Sequence, residues 1–567
     1  MSWRKGQVKT RDVRLGKLFK SIFILMPMLL VPKAYTQKAR GEIEVYGYNS
    51  EEENYTFLKN ESEGDLFSSL VGNSNILIDP VADFSRSFGL SIKGGLPGQQ
   101  KLFVDGHDME DVTSLQRNPR FDIAIYSAMD SITLDYSPKF SFMGQGSSSG
   151  VISSISSKKN YLSLRSQGNY GGSFIYQKIA PNFLGRISAQ YLNLPSVFPD
   201  GQEKDLKRGI DLRLARKFKI GEFKLLFLQS AQNYDDLNAD SLFNNSEFNK
   251  VSLIYKKNWW GNNFSSRHDL NLNVQKTNRK EFISSENYYY RGMSAGVDYK
   301  IRLNTEDYFF KLKLDRVDKL ENASLPVKEM IFFDGGYQKD LGKDSVLDSF
   351  GIRYSIGRSG ENIIFSDIKK TWKKIGLSVN SGGRFASFYE RFSPFGNPNL
   401  KTQKNYGIDL YYTHKNFKLN LFKKNTHNFI DYDFNSSRYE NLKVIDSIGL
   451  NVNFYPLEKL TSSFLISRVS DKNTGIRLPG RSELVFTNSY EFYSNIKLNY
   501  RGLFSRVGLE DKNLENLHYV DMNYLYKLNK EEFVLLNLKN ILNEKSSSLF
   551  PANGGGVNFI AEYVRGL

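Results

Sequence analysis

From residue 161 onward the chain is a series of short segments in which apolar and polar residues alternate. Phe310, Leu312 and Leu314 alternate with Lys311, Lys313 and Asp315. Tyr406, Ile408, Leu410 and Tyr412 alternate with Gly407, Asp409, Tyr411 and Thr413, and the same pattern runs through 417–421, 450–454 and 557–564. A period of two puts one set of side chains on each face of an extended strand. Two architectures use such strands: a soluble sandwich or propeller, and a transmembrane barrel with its apolar face on lipid and its polar face on the lumen. No blade-length repeat is visible, which weakens the propeller.

The amino end bears on the choice. Arg4, Lys5, Lys9, Arg11, Arg14, Lys17 and Lys20 precede the apolar run Ile22 to Val31, and small residues follow near Thr36. That order reads as an export signal over residues 1–36, and Pro27 and the shortness of the run argue against a permanent anchor. Removing its eight basic residues and one acid lowers the net charge from +16 to +9. The remainder is spread along strands rather than clustered, so no nucleic-acid face is expected. An exported chain without cysteine has no disulfides and no thiolate chemistry. Together with 42 Phe and 33 Tyr available for interfacial girdles, these features favour the barrel.

Residues 37–160 have a different texture, rich in Gly, Ser and Asp. Residues 161–567 suffice for about 22 tilted strands, and a barrel that wide is an open hole unless something fills it. Residues 55–160 are the candidate plug. Leu90-Ser91-Ile92-Lys93-Gly94 followed by Lys101-Leu102-Phe103-Val104-Asp105-Gly106 resembles the paired plug strands of TonB-dependent outer-membrane receptors. Ser131 to Pro138 with the Gly-rich run 143–155, Phe395 to Lys401, Ile430-Asp431-Tyr432-Asp433 and Leu538 to Glu544 resemble further motifs of that family, in the family's order. The fold this implies is all-β, a transmembrane β-barrel of about 22 antiparallel strands with an N-terminal α+β plug inside. Within the family the vitamin B12 (cobalamin) receptors are the most similar branch.

The resemblance implies an outer-membrane location, a monomeric barrel in lipid, a TonB-type energy-transducing partner and a small metal chelate as cargo, a corrinoid ahead of a ferric siderophore. Glu42, Ile43, Glu44, Val45 and Tyr46, within the segment 37–54, resemble the TonB box, which pairs by strand addition. Plug residues Phe84, Ser85, Arg86, Asp108, Gln116, Arg117 and Asn118 are expected at outer apices facing substrate, and Gly94 to Gln99 at a periplasmic turn. Asp200, Asp205, Tyr234, Asp235, Asp236 and Asp240 fall in two outer loops and offer oxygen ligands for structural calcium, the one cofactor expected. The family's two Arg–Glu plug–barrel pairs are altered here: Lys93 with Asp409 is the expected surviving pair, and Tyr136 with Gln403 the neutralised one. Gly146 to Gly150 fits the G-x-S-x-G pattern, but with five His and no defensible partner spacing no enzyme is expected. A passive porin or an adhesin is the other alternative; neither needs a plug or a TonB box.

Overall fold

The computed structural model describes residues 55–58, 76–78, 90–92, 95, 99–114, 117, 119, 123–127, 129–135, 150–167, 171–194, 205–235, 243–260, 266–283, 286–320, 328–341, 345–357, 361–433, 436–457, 459–479, 481–493, 495–508, 513–544 and 557–567. The signal segment and the Glu42–Tyr46 box lie outside them.

The alternating segments form one closed antiparallel barrel. Strands run up and down from Tyr161–Gln167 to Asn558–Gly566, and Asn558–Gly566 pairs back onto Tyr161–Gln167 to close twenty-two spanning strands. Asn513–Leu514 is a short extra segment paired on Ile496–Val507 ahead of Leu517–Lys527. Closure leaves no strand edge with unpaired N–H and C=O groups, a requirement for any sheet that crosses lipid. Connections at one end are mostly tight, such as those at 181–182, 219–220 and 415–416, whereas the other end carries longer ones, including 195–204 and 385–402.

The alternation resolves as expected for a lipid-facing barrel. Phe310 and Leu312 are 50% and 49% exposed, while Asp315 between the same strands is fully buried. Tyr406, Ile408 and Leu410 likewise face outward, with Asn405 and Asp409 buried inside. Exposed Ile, Leu, Val and Phe recur around the wall, an apolar exterior that water would not tolerate and a bilayer requires. Trp259 stacks on His268 at 5.2 Å near the tight-turn end, an aromatic placement suited to the membrane interface. No described helix is long and apolar enough to cross a membrane, so the crossing is made by strands.

Inside lies a five-stranded sheet in the order Tyr55–Leu58, Ser131–Asp135, Gly150–Ile155, Gln100–Val104, His107–Asp108. Its core of Leu102, Val104, Met109, Ile132, Leu134 and Ile152 is continuous with Leu226, Leu228 and Phe248 of the barrel, which places the sheet in the lumen. Asp105 and Gly106, both at positive φ (51° and 89°), make the two-residue turn between the last two strands, as an Asp-Gly pair favours. Among the described residues the plug's regular elements are strands joined by turns and irregular stretches, with no α-helix. The helix Phe388–Phe392 belongs to a barrel loop and opens with a capping box of Ser387 and Glu390.

The expectation that Gly94 to Gln99 form a periplasmic turn is corrected at the two residues of it that are described, Gly95 and Gln99. Gln99 bonds Asn405 and Lys424, and Arg481 donates to the Gly95 carbonyl at 3.1 Å. Asn405 and Arg481 stand near the long-loop ends of their strands. Gln100–Val104 pairs parallel to Gly150–Ile155, and that mixed pairing sets the strand direction, with the Asp105–Gly106 turn pointing toward the tight-turn end.

Leu312 tests the lipid face. Leu312→Arg should lower stability in lipid vesicles by about 2–4 kcal/mol, read from urea unfolding.

Candidate functional site: the seam between plug and lumen wall

Inward positions on neighbouring strands carry charge that the plug answers. Arg186 is 1% exposed; its guanidinium donates to Asp130 at 2.7 Å and to the Ile125 carbonyl at 2.6 Å. Arg213 donates to the same carbonyl at 3.0 Å, pairs with Asp211 at 2.6 Å and reaches Asp105 at 3.1 Å. Asp105 also accepts from the Ser156 N–H and hydroxyl, both at 2.7 Å. One turn of plug, Ile125 to Asp130, is therefore clasped by two guanidinium forks, a geometry suited to planar bidentate donors. Beside it Ser127 donates to Glu562 at 2.9 Å, and Arg165 holds the same carboxylate at 2.7 Å.

A second cluster ties down the segment after the hairpin. Arg117 pairs with both Glu110 and barrel Asp315, and Lys313 donates to Glu110 at 2.9 Å. Lys250 donates to the carbonyls of Asp108 and Glu110 at 2.7 and 2.9 Å. Arg279 approaches Asp111 at 3.7 Å. Gly292 allows the close approach here, since a Cβ there would lie 2.5 Å from Val112 Cγ2. Apolar contacts among Val112, Tyr290, Val317, Leu320 and Phe388 seal the outer side of this cluster.

Burial would raise the Asp105 carboxyl, but Arg213 and the two Ser156 bonds outweigh it and hold it at about 2. Glu110 is likewise kept well below the carboxylate range despite burial, by Arg117 and Lys313. His107 faces Ser252 at 2.9 Å. Burial first, then the nearby Lys224, Lys250 and Lys256, push its imidazole down to about 3 against the pull of Asp105.

Of the residues singled out in the sequence, Arg117 and Asp108 are placed: Arg117 reaches the wall as above, whereas Asp108, two residues past the Asp105–Gly106 turn, pairs with Lys101 inside the plug at 3.2 Å and so does not sit at the expected outer apex. Phe84, Ser85, Arg86, Gln116 and Asn118 lie outside the described residues. So do Lys93 and Tyr136, the plug halves of the expected pairs. On the barrel side, Asp409 accepts from Asn380 and Asn420, both at 3.4 Å, and Gln403 is fully buried. Asp205 opens strand Asp205–Phe218 and Tyr234 and Asp235 close Gly221–Asp235. The Leu206↔Asn233 register brings these three to one stretch of the long-loop rim. Asp200, Asp236 and Asp240 lie outside the described residues, as does the G-x-S-x-G match. Among the described residues no group of three or more acidic or His side chains is gathered to hold a metal.

Sequence reasoning missed the residues that form the seam. Arg186, Asp211, Arg213, Lys313 and Asp315 all stand at inward positions of their strands; a charged residue repeated on the polar side of alternating strands 183–319 was the available signal.

The sequence matches no protein-family model and no curated protein. The fold matches solved structures throughout. The siderophore receptor PirA from Acinetobacter baumannii aligns over 91% of this chain and 98% of its own, at 13% identity and a TM-score of 0.68. A ferric enterobactin receptor, PfeA from Pseudomonas aeruginosa, in complex with enterobactin, aligns over 91% and 99% at 13% identity and 0.67. The FrpB iron transporter from Neisseria meningitidis aligns over 91% and 99% at 14% identity and 0.65. At such identity the likeness is one of fold.

The His107 environment gives a pH dependence. The folded protein keeps this imidazole neutral, whereas the unfolded chain protonates it below its ordinary value of 6.5. Stability should therefore hold above pH 6.5 and fall between 6.5 and 3 by up to about 1.4 kcal/mol per pH unit. Asp105 adds a further loss only as pH falls from about 3.8 toward about 2. In His107→Gln the loss between pH 6.5 and about 4 should flatten, measured by urea midpoints across that range; an unchanged slope would show that His107 is not its source.

Proposed function

We propose that the chain is an outer-membrane receptor of the TonB-dependent kind that takes up a metal chelate by an energised step. The observation that carries this reading is the plug, held in the lumen by buried ion pairs. A passive porin has no use for an obstruction so fixed. Breaking one buried pair leaves an uncompensated charge at about 3–5 kcal/mol, and the seam holds several, so thermal opening is rare and work must come from outside. A pull on the segment around Glu42 to Tyr46 by a TonB-type partner would supply it.

Ferric siderophores rank ahead of corrinoids as cargo. Solved structures of this fold include ones named for siderophore, enterobactin, iron and copper. The corrinoid reading rests on the Asn233-Tyr234-Asp235 stretch and keeps one supporting observation, the meeting of Asp205, Tyr234 and Asp235 at the outer rim. Calcium held by those residues with Asp200, Asp236 and Asp240 would order the loops over bound cargo. Ligand contacts fall to Phe84, Ser85, Arg86, Gln116 and Asn118, with Arg117, anchored on barrel Asp315, between the last two.

The test is uptake of labelled ferric enterobactin and labelled cobalamin by cells expressing the protein, with and without calcium. Deleting residues 42–46 should abolish uptake of the cargo and leave its surface binding intact. Uptake that survives the deletion would identify a passive pore.

A further inference from the structure

At the long-loop end of the wall the outward face changes character. On Asn362–Trp372, Asn362 lies one step beyond exposed Ile364, and on Gln403–His414, Lys404 lies one step beyond exposed Tyr406. His427 of Phe417–Asp433 packs edge-on against the Tyr406 ring at 5.6 Å. An aromatic ring at that height marks the membrane interface, so the residues beyond it stand level with lipid headgroups. Between these strands Ser381 and Gly383 of Ile375–Arg384 take the outward positions that continue Ile375 and Val379. A Cβ at Gly383 would lie 2.2 Å from the Gln403 carbonyl oxygen, so the wall stays shallow there.

Beyond this dip lies a cavity of about 370 Å³, walled by Glu361, Arg391, Leu400, Lys401, Thr402 and Lys404. Its backbone is pinned. Asn441 donates to the Lys401 and Asn428 carbonyls, both at 3.0 Å, and accepts from the Lys401 N–H at 2.7 Å. Asn428, at a φ of 52° where the ladder is irregular, donates to the Thr402 carbonyl at 3.2 Å. Arg391 donates to Glu361 at 2.5 Å and to the Leu400 carbonyl at 3.2 Å, which neutralises the acid of the cavity. Lys401 and Lys404 then face no carboxylate among the described residues. Two buried donors are also unspent: Arg391 is 9% exposed and its Nε has no partner, and Thr402 is 6% exposed and its hydroxyl has none. A buried donor left without an acceptor is costly. Two ammonium groups and two such donors around one space are the complement of an oxyanion.

We propose that this cavity holds the phosphate of a lipid headgroup in the outer leaflet, with Lys401, Lys404, the Arg391 Nε–H and the Thr402 hydroxyl as its donors. Position favours lipid over a soluble anion. The cavity adjoins the Tyr406 ring, and the dip at Ser381 and Gly383 leads from it down between exposed Ile364 and Ile408, where an acyl chain lies. The site is on the outward face of the wall, apart from any cargo, and needs the barrel in its membrane but not the transport reading. Arg391 belongs to the helix whose Phe388 packs with plug residue Val112, so a bound headgroup braces the loop that touches the plug.

Native mass spectrometry of the folded protein in detergent tests this, with diphosphorylated lipid A, the same lipid stripped of phosphate, and inorganic phosphate as separate probes. Folding of each variant is checked by heat-modifiable gel mobility. Lys401→Ala with Lys404→Ala should weaken lipid A about tenfold or more, and removing the lipid's phosphates should cost as much. Thr402→Val, which keeps the side chain's shape, should weaken it about threefold or more. Lys217→Ala with Lys219→Ala removes the same charge from exposed positions at the tight-turn end and should leave affinity unchanged. Full affinity in the Lys401 and Lys404 pair or in Thr402→Val, or equal losses in the two lysine pairs, overturns the site. Should Thr402→Val fail to fold, the lysine pairs decide. Inorganic phosphate bound within about tenfold of lipid A identifies a free-anion site and overturns the lipid assignment, as does failure of the unsubstituted protein to retain lipid A.

Discussion

The buried ionic seam between plug and wall is the constraint on which the rest of the structure depends. A barrel of twenty-two strands is too wide for its own side chains to fill, so the lumen is closed only as firmly as the plug is held. Arg186 and Arg213 are almost wholly buried and converge on the Ile125 carbonyl, Asp130, Asp105 and Asp211. Charges in such a place are tolerated only when their partners are complete. The plug therefore has one position in which these charges are satisfied, and leaving it is costly.

That constraint links the two halves of the molecule. Backbone closure lets the barrel stand in lipid whatever its cargo, and the apolar exterior follows from it. The polar side of the same strands is free to be chemically specific. Between Phe183 and Lys319 it is used for ions that fix the plug. Asp105 and Glu110 are held ionised and His107 is held neutral, so the contact is steady near neutrality and weakens in acid.

The barrel was legible in the sequence because its cause is local. Alternation at Phe310 to Asp315 or Tyr406 to Thr413 states which face meets lipid without reference to any distant residue. The seam was not, because its partners are far apart in sequence: Arg186 meets Asp130, and Arg117 meets Asp315, only once strand order and register are fixed. Gly95 and Gln99 were assigned to the wrong end since alternating strand directions were assumed, whereas Gln100–Val104 runs parallel to Gly150–Ile155. The expected ligand apices fall on stretches of sequence with no periodicity to read.

The most direct measurement is a double-mutant cycle on Asp130 and Arg186, read by amide hydrogen exchange in plug strands Ser131–Asp135 and Gly150–Ile155. Asp130→Ala and Arg186→Ala should each lower protection of those strands by about 3–5 kcal/mol, with barrel strands unchanged, and the double variant should lose less than the sum of the two. Plug exchange that is unchanged in either single variant, or losses that simply add, would contradict an ionic seam as what holds the plug.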